Sequence, residues 1–196
     1  VAVIELGMNH AGEIKKLGML SEPDVGVITN TGQAHLEFFP SVESLVDAKW
    51  ELSHTVHGDR LMVLNADDIG LSERGDTYDG PIRWFGVEND CDWHPSELKQ
   101  GTDGCWSFTI HGARVHLRVP GYHMIGNALA ALAVADAFDV PLDKAAAAIG
   151  ETESEARRMR SLKVDDVLVL DDAYNANPKS MEAAIETLCS LDGRHI

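Results

Sequence analysis

The chain has 196 residues, 44% hydrophobic and 24% charged, enough for one large domain or one and a half smaller ones. A formal charge of −16 would repel nucleic acid and anionic membrane, so neither is expected as the main partner. No apolar run reaches the roughly 18 residues of a membrane helix, so no membrane insertion is expected. Cys91, Cys105 and Cys189 are an odd number without CxxC spacing, which fits a reduced cytoplasmic setting better than disulfides or a zinc site.

The chain opens directly on "VAVIEL", read as a strand, with no signal peptide and Val rather than Met first. This is the expected start of a piece of a longer protein. "GMNHAGEIKKLGML" reads as a glycine-marked loop entering a short helix, and "DVGVITN" as the next strand. After the loop "TGQAHLEFFP", Ser41 is a good N-cap for the helix "SVESLVDAKWEL". At about 100° per residue, Val42, Leu45, Val46 and Leu52 gather on one face, and Lys49 falls in its middle. "RLMVLNADD" is a third strand and "IRWFGV" a fourth, giving the alternation of a mostly parallel α/β sheet.

The pattern then changes. Trp106, Phe108 and Ile110, then Val115, Leu117 and Val119, alternate with polar residues around His111–Gly112, predicting a small antiparallel hairpin. Alanine-rich helices follow around Asn127–Phe138 and Leu142–Ile149. The charged stretch "GETESEARRMRS" is poor in apolar residues, and a domain boundary is expected there, dividing 1–155 from 156–196. "DVLVL", the acidic turn "DDAYNANP" and a helix bearing Met181, Ala184, Ile185 and Leu188 then read as the first βα unit of a second, Rossmann-like domain.

Ligands of open parallel sheets sit beyond the carboxyl ends of the strands. Glu5 ends the first strand, while His35 and Glu37 lie in the loop after the second. Helical side chains lean towards the N-terminus, so Lys49, roughly 10 Å into its helix, can point back at this edge. Glu5, His35 and Lys49 can therefore converge, or each can be dull: a loop-end carboxylate, a loop hydrogen-bonder, a snorkelling lysine. A buried neutral lysine is nucleophilic, and with carbon dioxide its amine forms a carbamate, an oxygen ligand suited to Mg²⁺.

Asn127 reads either as an N-cap or as an amide that pairs with a base edge. Asp172 is either a solvated strand-end carboxylate or a ribose ligand. Arg157, Arg158 and Arg160 form either a solvated linker or a phosphate clamp. Asn177–Pro178 looks like an N-cap followed by proline at the first helical position. No Gly-x-x-x-x-Gly-Lys-[Ser/Thr] motif occurs, and no Gly-Lys dipeptide.

Four stretches, "ELGMNHAGEI", "ITNTGQAHLEFFPSVESLVDAKWEL", "GYHMIGNALAALAVA" and "LDDAYNANPKSMEAAI", together resemble the ATP-dependent Mur ligases, in that family's order. The resemblance spans nearly the whole chain. "DDAYNANP" with "SM", and "AHLE", are most similar to the member that joins D-alanyl-D-alanine to UDP-N-acetylmuramoyl-tripeptide.

The resemblance implies a P-loop-type central ATPase domain, lacking its first strand and phosphate loop, followed by the start of a C-terminal domain. It implies a cytoplasmic enzyme, monomeric when intact, that uses ATP and Mg²⁺ to form an amide through an acyl phosphate in peptidoglycan synthesis. Glu5, His35 and carbamylated Lys49 would be metal ligands, Asn127 the adenine contact, Arg158 the arginine near the phosphates, and Asp172 the nucleotide-binding aspartate. Arg157 stands where the family has glycine before that arginine, Met124 where asparagine is frequent, and Ala173 where serine is frequent. The fragment alone is expected to be inactive. The competing expectations are another Mur-type or glutamate-adding ligase, and a nonenzymatic nucleotide-binding paralogue.

Overall fold

The run Met62–Leu64 has no polar side chain to turn towards water, and it becomes the middle strand of a parallel sheet. The computed structural model describes residues 1–32 and 38–196. Contacts divide the chain into two compact units, Val1–Trp93 and His94–Ile196. The break falls where the sequence pattern changes from parallel-sheet to hairpin periodicity.

In the first unit β1 (Val25–Ile28), β2 (Leu61–Asn65) and β3 (Ile82–Phe85) lie in the order β1-β2-β3. Both pairings are parallel, with Val27 opposite Val63 and Leu64 opposite Trp84. Helices α1 (Glu13–Ser21), α2 (Val42–Trp50) and α3 (Ile69–Gly75) accompany the sheet, and a 3₁₀ turn, Glu51–Thr55, continues α2. Leu45, Ala48 and Trp50 of α2 and Leu71 of α3 join Met62 and Leu64 in one apolar core. Each such leucine contributes about 2 kcal/mol by leaving water.

Ser41 caps α2 through a reciprocal box: its Oγ accepts from Ser44 N at 3.2 Å, and Ser44 Oγ accepts from Ser41 N at 3.1 Å. Helix α1 is capped from a distance. The Glu51 carboxylate accepts from Gly12 N at 2.6 Å and Lys15 N at 3.1 Å, its charge favoured by the helix N-terminus.

One expected strand does not form. Val1–Leu6 carries no strand pairing among the described residues, and Val1 and Val3 are 99% and 93% exposed. An apolar run becomes a strand only when a ladder satisfies its backbone groups, and here none does.

In the second unit β4 (Ser96–Gln100), β5 (Trp106–Ile110) and β6 (Ala113–His116) form an antiparallel sheet. The β5–β6 turn is His111–Gly112, both at positive φ, +46° and +84°, as a two-residue hairpin of this twist requires. Phe108, Ile110 and Val115 are its buried residues. Helix α4 (His123–Ala137) buries Ile125, Leu129 and Leu132, and α5 (Leu142–Glu151) packs against α4 and β6.

After the polar connector, β7 (Arg160–Val164) and β8 (Val167–Asp171) pair antiparallel, Leu162 opposite Val169. Helix α6 (Pro178–Cys189) follows, with Asn177 and Ser180 in a reciprocal capping box and Pro178 in the first turn. The expected strand, acidic turn and helix are present, but the strand has an antiparallel partner drawn from the polar connector. The apolar face expected of α6 is only partly covered, with Met181 and Ile185 exposed.

Candidate functional site

In the first unit the carboxyl ends of β1 and β2 bring together the segments that follow them. Thr29–Gly32 follows β1, and Ala66–Asp68 follows β2. Lys49 of α2 is half-buried, and its Nζ donates to the Asn30 carbonyl at 3.0 Å. Its amine is therefore turned towards the strand-end edge, over a carbonyl that directly follows β1.

That loop is tied at several points. Asn65 Nδ2 donates to Thr29 O at 2.9 Å. Thr31 donates from both its N and its Oγ1 to Asp68, each at 2.6 Å. Asp68 Oδ1 also accepts from Leu71 N at 3.2 Å, capping α3. The neighbouring Asp67 accepts from Val87 N, Glu88 N and Asn89 N at 2.6, 3.1 and 2.8 Å, and so holds the turn after β3. None of these carboxylates stood out in the sequence. Their partners come from a different strand's loop, and only the parallel register brings the two loops side by side.

Of the other two expected metal ligands, Glu5 and His35, only Glu5 lies within the described residues. Glu5 is exposed in the unpaired opening segment. His35 and Glu37 lie outside the described residues. Among the described residues, no three His, Cys, Asp or Glu side chains group closely enough to hold a metal ion.

A separate group forms within the second unit. Asp172, just past β8, accepts from Met159 N at 3.0 Å, which fixes it beside Arg158 in the chain. The Arg158 guanidinium lies 4.1 Å over the Tyr174 ring and 3.7 Å from the Glu155 carboxylate. Tyr174 N donates to Arg157 O at 2.9 Å, closing the connector onto the segment after β8. Arg157 and Met159 have φ of +65° and +48°, the left-handed region that favours glycine. Arg157 thus has a glycine-like backbone.

Desolvation holds the His123 imidazole below its ordinary value, while the carboxylates of Asp172 and Glu186 pull the other way. His123 therefore lies near Asp172, and Asn127 sits one turn further along α4.

The helix starts four residues before Asn127, at His123, so the N-cap expectation for Asn127 is corrected. "YHMIG" precedes the alanine-rich run and joins its first turn, placing Asn127 inside the helix. Its amide is exposed and donates to Met124 Sδ at 3.5 Å. The carbonyl end of that amide is thus available for an outside partner.

A pocket of about 580 Å³ in the first unit is lined by Ser72, Glu73, Asp76, Trp84, Asp90 and Asp92, among others. None of the sequence-predicted site residues lines it, and its carboxylates disfavour phosphates. All three cysteines are free, and among the described residues no helix is long and apolar enough to cross a membrane.

Residues 1–135 match the family described as the Mur ligase middle domain. A curated Bacillus subtilis protein, UDP-N-acetylmuramoyl-tripeptide–D-alanyl-D-alanine ligase, is 33% identical over 98% of this chain and 42% of its own length. The crystal structure of MurF from Acinetobacter baumannii superposes with a TM-score of 0.90 at 30% identity, over 97% of this chain and 43% of that one. MurF from Thermotoga maritima in complex with ADP gives 0.86 at 25% identity, over 96% and 44%. The chain thus spans less than half the length of the relatives it matches. From the matched residues 1–135, this chain belongs to the Mur ligase family.

Proposed function

We propose that this chain is part of an ATP-dependent ligase that adds D-alanyl-D-alanine to UDP-N-acetylmuramoyl-tripeptide in peptidoglycan synthesis, and so serves cell shape and division. Residues 1–155 belong to its central ATPase domain and 156–196 to the start of its C-terminal domain. The intact enzyme works in the cytoplasm as a monomer, and residues 1–196 alone do not ligate.

The observation that carries this reading is Lys49. A half-buried lysine turns its amine to the carboxyl edge of a parallel sheet, in a chain that aligns over 98% of its length with a ligase of this name. The ammonium gives up one proton, the neutral amine adds to carbon dioxide and gives up a second, and a cation becomes an anionic oxygen ligand. With the Glu5 carboxylate and the His35 imidazole it would offer two oxygen donors and one nitrogen donor to Mg²⁺. When bound, Mg²⁺ supplies positive charge beside the phosphates.

The tripeptide carboxylate attacks the γ-phosphorus of ATP, ADP leaves, and an acyl phosphate forms on the substrate. The free amine of D-alanyl-D-alanine then attacks the acyl carbon and releases phosphate. No side chain of the protein needs to become covalently bonded to substrate. Asn127 reads the adenine edge, Arg158 pairs with phosphate, and Asp172 holds the nucleotide sugar. Their task is positioning, the main protein contribution to phosphoryl transfer.

The test is phosphate release by the intact protein with each substrate withheld in turn. Release that requires ATP, the tripeptide nucleotide and D-alanyl-D-alanine together supports the proposal. Equal release with a single amino acid or glutamate as the amine points to a neighbouring ligase. No release with any amine points to a nonenzymatic paralogue.

A further inference from the structure

We propose that Asp68 is a positioning residue for Lys49, acting through Thr31 and Asn30; the proposal rests on the role given to Lys49 above. A lysine amine at the end of a flexible four-carbon stem stays in place only if its acceptor is itself fixed. Here one acceptor is a backbone carbonyl, Asn30 O, in an exposed part of the segment after β1. No substitution at Asn30 removes that carbonyl, so its position depends on what holds its own peptide unit, which includes Thr31 N, and the unit before it.

Both units are held from the end of β2 and the loop after it. Asn65 Nδ2 donates to Thr29 O at 2.9 Å on one side. On the other, Thr31 is only 7% exposed and gives both of its donors to Asp68 at 2.6 Å. Bonds of this length to a carboxylate are charge-assisted and about twice as strong as neutral ones. Gly70 permits the approach, since a Cβ there would lie 3.1 Å from Thr31 Oγ1 and 2.8 Å from Val46 Cγ2.

The ordinary reading of Asp68 is the N-cap of α3, and it does cap that helix through Leu71 N at 3.2 Å. Capping uses one oxygen. Oδ1 takes Leu71 N and Thr31 Oγ1, whereas Oδ2 is committed to Thr31 N. A cap alone has no use for that second oxygen. It serves the β1 loop, and through the loop the carbonyl that receives the Lys49 amine.

Asp68→Ser separates the two roles, because serine caps helices well but is too short to reach Thr31 as well. In the intact protein the variant is expected to remain folded, with a lowered melting point because two buried Thr31 donors lose their acceptor. Its turnover is expected to fall between about tenfold and a hundredfold, the scale of a misplaced catalytic group, with the KM for ATP within about twofold. Turnover within about twofold of wild type, with Lys49 labelling also unchanged, overturns the proposal. Should Asp68→Ser fail to fold, Thr31→Val keeps the backbone bond and removes the hydroxyl one. It is expected to lose about half as many powers of ten, and unchanged turnover with unchanged labelling in it is equally fatal.

A second readout is independent of ligation. Labelling of Lys49 by an amine-selective reagent, measured against the exposed Lys15 and Lys16, is expected to rise several-fold in Asp68→Ser. Labelling that stays at the wild-type ratio overturns the brace. Labelling that rises while turnover holds overturns the role given to Lys49 instead.

Discussion

Arg157→Gly is expected to stabilise the chain, although it removes a large side chain. Arg157 has φ +65° and is exposed, and its carbonyl still accepts from Tyr174 N at 2.9 Å whatever side chain it carries. A Cβ in the left-handed region costs about 1–2 kcal/mol, which glycine does not incur. Glycine gives back about 0.4–1 kcal/mol through the freedom it adds to the unfolded chain. The difference leaves about 0.5–1 kcal/mol in favour of the variant. For a chain of this size that raises the melting midpoint by about 1–4 °C. Urea unfolding followed by far-UV circular dichroism measures it, with Arg160→Gly as the matched control. Arg160 lies in β7, an extended strand, where the same change is expected to cost about 0.5–1 kcal/mol. Equal destabilisation by both substitutions would refute the reasoning.

Three further outcomes follow from the same structure. Asn127→Ala in the intact enzyme is expected to raise the KM for ATP more than it lowers turnover, without lowering stability, because Asn127 lies inside α4 and caps nothing; a drop in melting temperature with an unchanged KM contradicts this. Burial pushes the Cys105 thiol up to about 12, with Asp103 adding to it, whereas Cys189 is exposed. A chromogenic thiol reagent at pH 8 should therefore modify Cys189 first, and equal rates at the two sites would count against the packing around Cys105. His123 is held below its ordinary value of 6.5, so the unfolded chain binds its proton more readily. Its contribution to stability is complete above that value and is lost as the pH falls through the lowered one. His123→Gln should flatten the acid limb of the stability profile, and an unaltered limb would show that burial does not govern this imidazole.

The parallel sheet was legible because β1, β2 and β3 are apolar runs bounded by turn residues. The hairpin was legible because Phe108, Ile110 and Val115 keep strict alternation. β4 and β7 were not. "SELKQ" and "RSLKV" each carry few apolar residues, so their strand character comes from the neighbour that pairs with them and not from a buried face. Val1–Leu6 shows the converse, an apolar run without a partner. At the site, Lys49 announced itself as a charge on an apolar helical stripe, and the structure ties its amine to Asn30 O at 3.0 Å. Asp68 and Asn65 gave no such signal in "NADD", because their roles depend on a loop more than thirty residues away.

The most direct measurement of the central claim is the ligation rate of the intact protein carrying Lys49→Ala, compared with wild type at saturating substrates and Mg²⁺. The account predicts a folded protein whose turnover falls by at least about a hundredfold, the scale of removing one preorganised electrostatic group from a phosphoryl-transfer site. A folded Lys49→Ala protein that ligates at the wild-type rate would contradict it.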